Sequence, residues 1–501
     1  MTPGPARDTH YHRGSTDGRR PLTHDPLARV KPAYDVIVVG SGLAGLTAAN
    51  VLGRMGHKVA VFEQHYNFGG LATWFKRRGG HVFDVSLHGF PAGMIKTCRR
   101  HWTPEIAERI VRLESIRFDN PQFRLDTPFT REDFTAKLIE HFGAPRATVE
   151  SFFAHLRAMN FYDENTDTVA DVFERFFPGR NDIHRLLLEP IAYANGSCLD
   201  DPAIAYGIVF SNFMASGVYT FTGGTDLLIG LMRRELARHS VELFSNADVE
   251  QILVERGPER DSVRGVVVGG REIRAKAVLS NASLTTTVEK LVGREHFAPE
   301  FARGVAAVRL NNSSTQVYLG LAAGASIPYV TDLLFASRRE RFDSPALCDF
   351  HGLSRTFSFY YPKTRPGSER TSIVSSTNAH WEDWAALSQA DYEREKARLA
   401  AETLDELERL VPGTRAKIEH VEVSTPRTFG FYTSHPRGTS FGTKFEGLRY
   451  SLDLPEQVRG LFHAGSVGII MSGWLGAANY GVITAAKLDP FLASLAAPAG
   501  R

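Results

Sequence analysis

The sequence predicts an α/β chain, α+β overall, in which a discontinuous Rossmann-like nucleotide-binding domain carries an inserted mixed-sheet and helical domain. Three observations lead to this. A continuous β-branched run, Tyr34-Asp35-Val36-Ile37-Val38-Val39, passes straight into the glycine loop Gly40-Ser41-Gly42-Leu43-Ala44-Gly45. A second strand–glycine–helix pattern recurs in mid-chain at Gly223-Gly224-Thr225, and a third closes the chain around Gly465 and Gly473. Between them lie two long stretches of different texture, one helical and rich in aromatics, the other β-rich.

Taken in order, residues 1–33 lack an apolar stretch and are rich in Pro, Gly, Arg and His, which predicts a disordered leader without a secretory core. The run 34–39 reads as a buried parallel strand, Leu46–Met55 as a helix, and Lys58–Glu63 as a second strand, which together make one βαβ unit. Residues 91–216 change to helical text with Phe152, Phe153, Phe173, Phe176 and Phe177. From 217 to 300 the nucleotide-domain character returns: a helix over Asp226–His239, then strands at Val241–Phe244, Val249–Val254, Val263–Val268 and Ala277–Ser280. Residues 301–444 alternate β-rich text with a charged helix, Asp391–Leu410, whose Leu399, Leu404, Leu407 and Leu410 mark one packed face and whose cap falls near Gly413. The last piece, 445–501, is a strand, a glycine turn and a helix. The reading is therefore a nucleotide domain from 34–90, 217–300 and 445–501, and an inserted domain from 91–216 and 301–444.

Bulk properties narrow the class. The chain has 501 residues, 43% of them hydrophobic and 23% charged, the balance of a water-facing globular enzyme with a sizeable core. A net charge of +2 gives no global attraction to nucleic acid. Cys98, Cys198 and Cys348 are scattered and form no CxxC or paired framework, which fits a reducing, cytoplasmic setting and buried, inert thiols. No run approaches the roughly 18 apolar residues that cross a bilayer.

The glycine loop carries the first chemistry. Gly40 permits a tight turn, Gly42 lets backbone approach a pyrophosphate, and Gly45 allows helix and strand to pack closely. The phosphates then meet free N–H groups at the helix N-terminus. Glu63, ending the second strand, is placed to accept both hydrogen bonds from an adenosine ribose. FAD and NAD both use this fingerprint, so it names a dinucleotide only.

The residues that follow are more specific. Glu63, then Gly69-Gly70, then Phe83-Asp84 within Gly80–His88 resembles the flavin amine-oxidase-like superfamily, and within it the phytoene desaturase, carotenoid isomerase and retinol saturase branch. Phe221–Thr225 with Asn246–Val249, and Gly460–Ser466 with Ser472–Gly481, are similar to that family's central and C-terminal flavin blocks. The resemblance implies noncovalent FAD with contacts at Gly40, Gly42, Leu43, Ala44, Gly45, Glu63, Gln64, Gly69, Gly70, Leu71, Ala72, Val249 (by its backbone), Gly465, Ser466, Gly473 and Trp474. It also implies that Phe83–His88 lies close to the isoalloxazine ring. The chain departs from many relatives at Asn67 and Leu71, where an arginine flanks the glycine pair, and at Ser86, where they carry glycine. Those departures leave the direction of the reaction open.

Acid–base candidates are His88, which either protonates or orients substrate at the ring or is a hydrogen-bonded structural histidine, and Tyr432 and Arg427. The latter two either face the flavin pocket or are ordinary sheet and surface residues. No HxxxH pair or thiolate cluster suggests a metal, and the G-x-S-x-G match at Gly438–Gly442 follows a turn rather than a strand.

The family's substrates are long, water-insoluble chains, and aromatic-rich inserts are what would build a tunnel for them. The leading reading is an FAD-dependent oxidoreductase acting on carbon–carbon bonds of a carotenoid, retinoid or other isoprenoid by desaturation, saturation or isomerisation. Fatty-acyl chains are an alternative substrate. A noncovalent amine oxidase and a non-catalytic lipid carrier like the GDP dissociation inhibitors of Rab proteins are the rival readings. The absence of a second strand-borne GxGxxG makes oxygen, a quinone or the substrate itself the electron partner. Peripheral contact at the inner face of a membrane follows from the substrate class, with no role for nucleic acid.

Overall fold

The computed structural model describes residues 25–159, 166–468 and 470–496. Its frame is a seven-stranded sheet in which Glu242–Ser245, Val59–Glu63, Ala33–Val39 and Arg271–Ser280 run parallel in that order. Val36, Ile37 and Val38 have no exposed surface, because helices cover both faces of this strand; that is why its sequence is apolar without alternation. The long strand Arg271–Ser280 has a divided outer edge. Its first half pairs antiparallel with Ser262–Val268, which in turn pairs with Val249–Glu255, and its second half pairs parallel with Leu461–His463. Chain segments far apart in sequence thus complete one sheet.

Helix Leu43–Arg54 leaves the first strand and packs along the last helix, Gly473–Ala496. Their contact depends on glycine: a Cβ on Gly481 would stand 2.3 Å from the Ala44 carbonyl oxygen. Helix Gly224–Arg238 covers the same sheet through Leu228, Ile229, Met232 and Leu236.

A second seven-stranded sheet runs Ile418–Ser424, Ser313–Leu321, Ser372–Ala379, Ser354–Tyr360, Leu333–Ser337, Ile116–Asp119 and Arg124–Thr127. All its pairings are antiparallel except Leu333–Ser337 with Ile116–Asp119. Helix Gln389–Leu410 lies on one face and buries Leu399 and Leu407, as its periodicity predicts. At the far edge stand, among the described residues, five helices between Arg131 and Met214, whose core is aromatic: Phe134, Phe152, Phe173, Tyr206 and Phe210 are all fully buried.

Three expectations are corrected. The leader predicted over 1–33 ends earlier, although residues 1–24 lie outside the described residues. Leu27 is buried in the first core, and Asp25 meets Arg271 at 2.7 Å, so the chain is anchored before the first strand. The boundary placed at residue 91 falls later, because Met94, Cys98, Trp102 and Ile106 of helices Gly93–His101 and Pro104–Glu108 belong to the first core. Finally, of the alternatives left open for Tyr432 and Arg427, a place in the sheet is excluded: Thr425 caps a helix, Pro426–Thr433.

Candidate functional site

The glycine loop sits where the first strand ends. Gly40 adopts φ +91°, and its N–H donates to the Phe62 carbonyl at 2.8 Å, turning the chain across the neighbouring strand. Helix Leu43–Arg54 begins at Gly42 with no side-chain cap, so its first N–H groups are available to an anion. Gly69 closes on this loop from the other side: its N–H donates to Ser41 O at 3.0 Å, and it bridges Gly42. A Cβ on Gly70 would stand 3.0 Å from Gly42 Cα. Gly69 and Gly70, at φ +111° and +61°, therefore hold backbone against backbone: a Cβ on Gly70 would press on the loop, and one on Gly69 would stand 2.4 Å from Ala72 O.

Glu63 is buried beside this cradle. Its Oε2 accepts from Ser41 N at 2.9 Å and Ser41 Oγ at 2.6 Å, and its Oε1 accepts from His65 N at 2.8 Å. Burial raises the carboxyl above its ordinary range, while the donors from Ser41 and His65 pull it back. A carboxylate has about four lone-pair sites. The geometry leaves one on Oε1 for a ribose hydroxyl, where the sequence predicted that Glu63 would take both. Asn281 Oδ1, a buried acceptor with no partner among the described residues, adds a hydroxyl-binding position beside Gly42. The sequence reading missed Asn281, although its place directly after the strand Arg271–Ser280, at the sheet's switch point, marks it.

The opposite end is built by Gly473 and Trp474. Gly473 has φ +65° and open space where a Cβ would stand. Trp474 Nε1 donates to Ser86 O at 3.0 Å, and Ser86 Oγ donates to Leu71 O at 2.8 Å. Ser86 thus fastens the segment of His88 to that of Gly70. Asp84 anchors the same segment: buried, it accepts from Thr225 N at 2.7 Å and from Arg365 Nη2 at 3.0 Å, and Arg365 also donates to Asp226.

His88 faces the cavity between these segments. Its Nε2 lies 3.1 Å from Gln316 Nε2, and its Nδ1 lies 3.0 Å from Ser358 Oγ. A donor on Gln316 makes Nε2 the acceptor, so the proton sits on Nδ1 and is given to Ser358. Burial pushes the imidazole down to about 4, which keeps it neutral. Gln316 is fixed in turn by Val85 O at 3.0 Å and by the Tyr318 hydroxyl.

The glycine loop, Glu63, Gly69-Gly70, Asn281, Gly473-Trp474, Ser86, His88 and Gln316 line one cavity of about 930 Å³, at the upper end of the size of ligand sites, with Asp84, Arg365 and Ser358 supporting it from behind. Of the residues expected to touch cofactor, Gly40, Gly42, Leu43, Ala44, Glu63, Gln64, Gly69, Gly70, Leu71, Ala72, Val249, Ser466, Gly473 and Trp474 border it. Gly45 and Gly465 do not. A Cβ on Gly45 would lie 2.5 Å from Gly40 O, and one on Gly465 would lie 2.1 Å from Ala282 O, so both serve close packing, and Ala464 and Ser466 face the cavity instead. Tyr432 and Arg427 border the cavity away from His88. The Tyr432 ring stands edge-on to His65, centroids 5.1 Å apart, and its carbonyl accepts from Gln64 Nε2 at 3.2 Å, which puts it beside the nucleotide-ribose end. Arg427 donates to Ala385 O and Leu387 O and lies over the Tyr392 ring at 4.6 Å, a structural clamp. Among the described residues, the one grouping tight enough for a metal is Cys198, Asp200 and Asp201, and Lys444 Nζ already stands 2.9 Å from Asp201 Oδ2.

A parallel sheet with an uncapped glycine-loop helix, a buried acidic residue at the next strand and a second sheet closing the cavity define a dinucleotide-dependent oxidoreductase of the flavin type. The chain belongs to the flavin containing amine oxidoreductase family, whose model matches residues 43–484. Among curated relatives it is similar to the chloroplastic prolycopene isomerase of Daucus carota, 24% identical over 455 residues, covering 81% of this chain and 71% of that one. It is equally similar to the all-trans-retinol 13,14-reductase of Homo sapiens, 24% identical over 485 residues, covering 83% and 78%. The fold is shared with an oxidoreductase from Methanosarcina mazei, at TM-score 0.64, 16% identity and coverage of 90% and 99%. It is shared too with putrescine oxidase bound to putrescine, at TM-score 0.61, 16% identity and coverage of 91% and 99%. The resemblance to the carotenoid isomerase and retinol saturase branch therefore holds, and the protein is an FAD-dependent oxidoreductase.

Proposed function

We propose that this enzyme acts on carbon–carbon double bonds of a long apolar chain of the carotenoid, retinoid or related isoprenoid class, by desaturation, saturation or isomerisation. One observation carries this: the cavity does not stop at the cofactor segments but continues as an apolar arm. Phe129, Pro190, Ile191, Val209, Phe213, Leu333 and Phe335 line that arm, at the seam between the helical bundle and the second sheet. The two relatives named above act, by their names, on prolycopene and all-trans-retinol, and both are long polyenes.

Flavin supplies hydride or electron exchange when bound. The chain's own residues bind its phosphates at Gly42 and Gly69, its ribose at Glu63, and hold a neutral His88 against the reacting region. Binding is noncovalent in this reading; no cysteine follows Cys348 to take up a flavin near the C-terminus. Burial also pushes the Cys98 and Cys198 thiols up to about 12, far from a reactive thiolate. Electrons pass to or from oxygen or a quinone, and the substrate is drawn from the inner face of a membrane. No described helix is long and apolar enough to cross one.

The test is anaerobic incubation of purified holoprotein with a polyene panel and a set of small amines, following flavin absorbance and chromatographic products together. Conversion of a polyene supports the reading. Flavin reduction by an amine with every polyene returned unchanged overturns it.

A further inference from the structure

Resting on that reading, we infer that the substrate is not a pure hydrocarbon but carries a neutral oxygen function, an alcohol or carbonyl, close to its reacting bond. The sheet that closes the cavity is polar beside His88 and apolar further out. Strand pairing places Gln316 beside Ser376 and Ser376 beside Thr356, while Thr356 pairs onward with Phe335 and Phe335 with Phe118. One rung across the sheet therefore changes from amide and hydroxyls to two phenylalanines, stacked with centroids 5.1 Å apart. The next rung repeats the change, from Tyr318 through Val374 and Ser358 to Leu333 and Ile116.

The polar end is tied to the reacting region. Gln316 Nε2 lies 3.1 Å from His88 Nε2 and 3.2 Å from Ser376 Oγ. Ser314 and Asn378, paired with each other, extend the polar area, and with Gln316, Ser376 and Thr356 they border the cavity. A hydroxyl offers one donor and two acceptor positions. Ser376 Oγ gives one acceptor position to Gln316, and the hydroxyl of Thr356 reaches only a 3.4 Å contact with Ser376 O. A hydrocarbon laid on this surface expels water and leaves such groups without partners, whereas an alcohol or carbonyl meets them.

The charge of the partner is also specified. The three strands Ser313–Leu321, Ser354–Tyr360 and Ser372–Ala379 contain a single charged residue, Arg355, and it points away from the cavity to donate to Thr403. These three strands put no cation on the cavity, and Arg77, which borders it from the neighbouring hairpin, is paired with Glu422, so the match is to a neutral group rather than a carboxylate. The geometry orients the substrate: oxygen function at Ser376 and Thr356, beside the already engaged Gln316, and tail along Phe335 and Phe213.

The experiment compares kcat/KM of the holoprotein for four polyenes of one chain length, ending in a methyl, an alcohol, an aldehyde or a carboxylate. In parallel, a saturated alcohol and the matching alkane are titrated against flavin fluorescence, which reads binding without turnover. The expected result is a preference of about tenfold or more for the alcohol or aldehyde over the methyl end, in both measurements. Thr356→Val and Ser376→Ala should shrink that ratio, with retained flavin absorbance reporting that each variant folds. Equal or better use of the methyl-ended chain, or a preference for the carboxylate, overturns the inference while leaving the proposed function standing. Failure of all four polyenes overturns the proposed function and this inference with it.

Discussion

Trp474 Nε1 donates to the carbonyl oxygen of Ser86 at 3.0 Å, joining the start of the last helix to the segment of His88 across 388 residues of sequence. Its ring also packs on Phe90, centroids 5.4 Å apart. Trp474→Phe keeps the packing and removes the donor. It should lower stability by about 1 kcal/mol in urea unfolding and shift the visible spectrum of the bound flavin, without emptying the site.

Gly69→Ala should yield protein purified with little flavin. The new methyl would stand 2.4 Å from Ala72 O at a backbone φ of +111°. Gly56 is the control, because it too has a positive φ, +91°, but nothing lies within 4 Å of its Cβ position. Gly56→Ala should cost about 1 kcal/mol of stability and leave the flavin content, read as absorbance released on denaturation, unchanged.

Arg365 neutralises two carboxylates, Asp84 and Asp226. Arg365→Leu strands Asp84, which is 3% exposed, and should destabilise the fold by about 3–5 kcal/mol. Adding Asp84→Asn to that variant should recover part of the loss. Chemical denaturation of the two variants checks both statements, and equal stability of single and double variants would contradict them.

Acid should unfold the protein through buried neutral histidines. Burial pushes His88 and His463 down to about 4, against 6.5 for the free side chain. The unfolded chain binds the extra protons first as pH falls below 6.5, so stability is full above that value and drops between 6.5 and 4. Each group contributes on the order of 3 kcal/mol across that window. Glu63, raised by burial, acts in the opposite sense and offsets part of the loss. His463→Gln should make the unfolding free energy measured against pH visibly shallower.

What could be read from the sequence follows from what is local. The strand Ala33–Val39, the glycine loop and Glu63 are contiguous and have a mechanism written into their spacing, so they were legible in order. Gly45 and Gly465 look like cofactor contacts because glycine marks close approach, but the sequence does not say whether ligand or backbone approaches. The structure answers with Gly40 O and Ala282 O. For Tyr432 and Arg427 the sequence left pocket and sheet or surface positions both open; they border the cavity, but the helix Pro426–Thr433 that puts them there is short and is placed by contacts to Gln64, His65 and Tyr392 rather than by its own pattern. The polar row of Gln316, Ser376 and Thr356 stayed hidden because it exists only in strand register. Each strand alone shows an ordinary serine or threonine.

The divided edge of Arg271–Ser280 has a bearing on biosynthesis. Until the ribosome has delivered residues beyond His463, half of that strand's outer edge is unpaired, and until it has delivered Trp474 the cofactor cradle lacks a wall. A growing chain cannot load its flavin early and use it as a folding scaffold. Charging with cofactor is therefore a late event of maturation, and polypeptides cut short even by the last helix should leave the cell's synthesis machinery colourless.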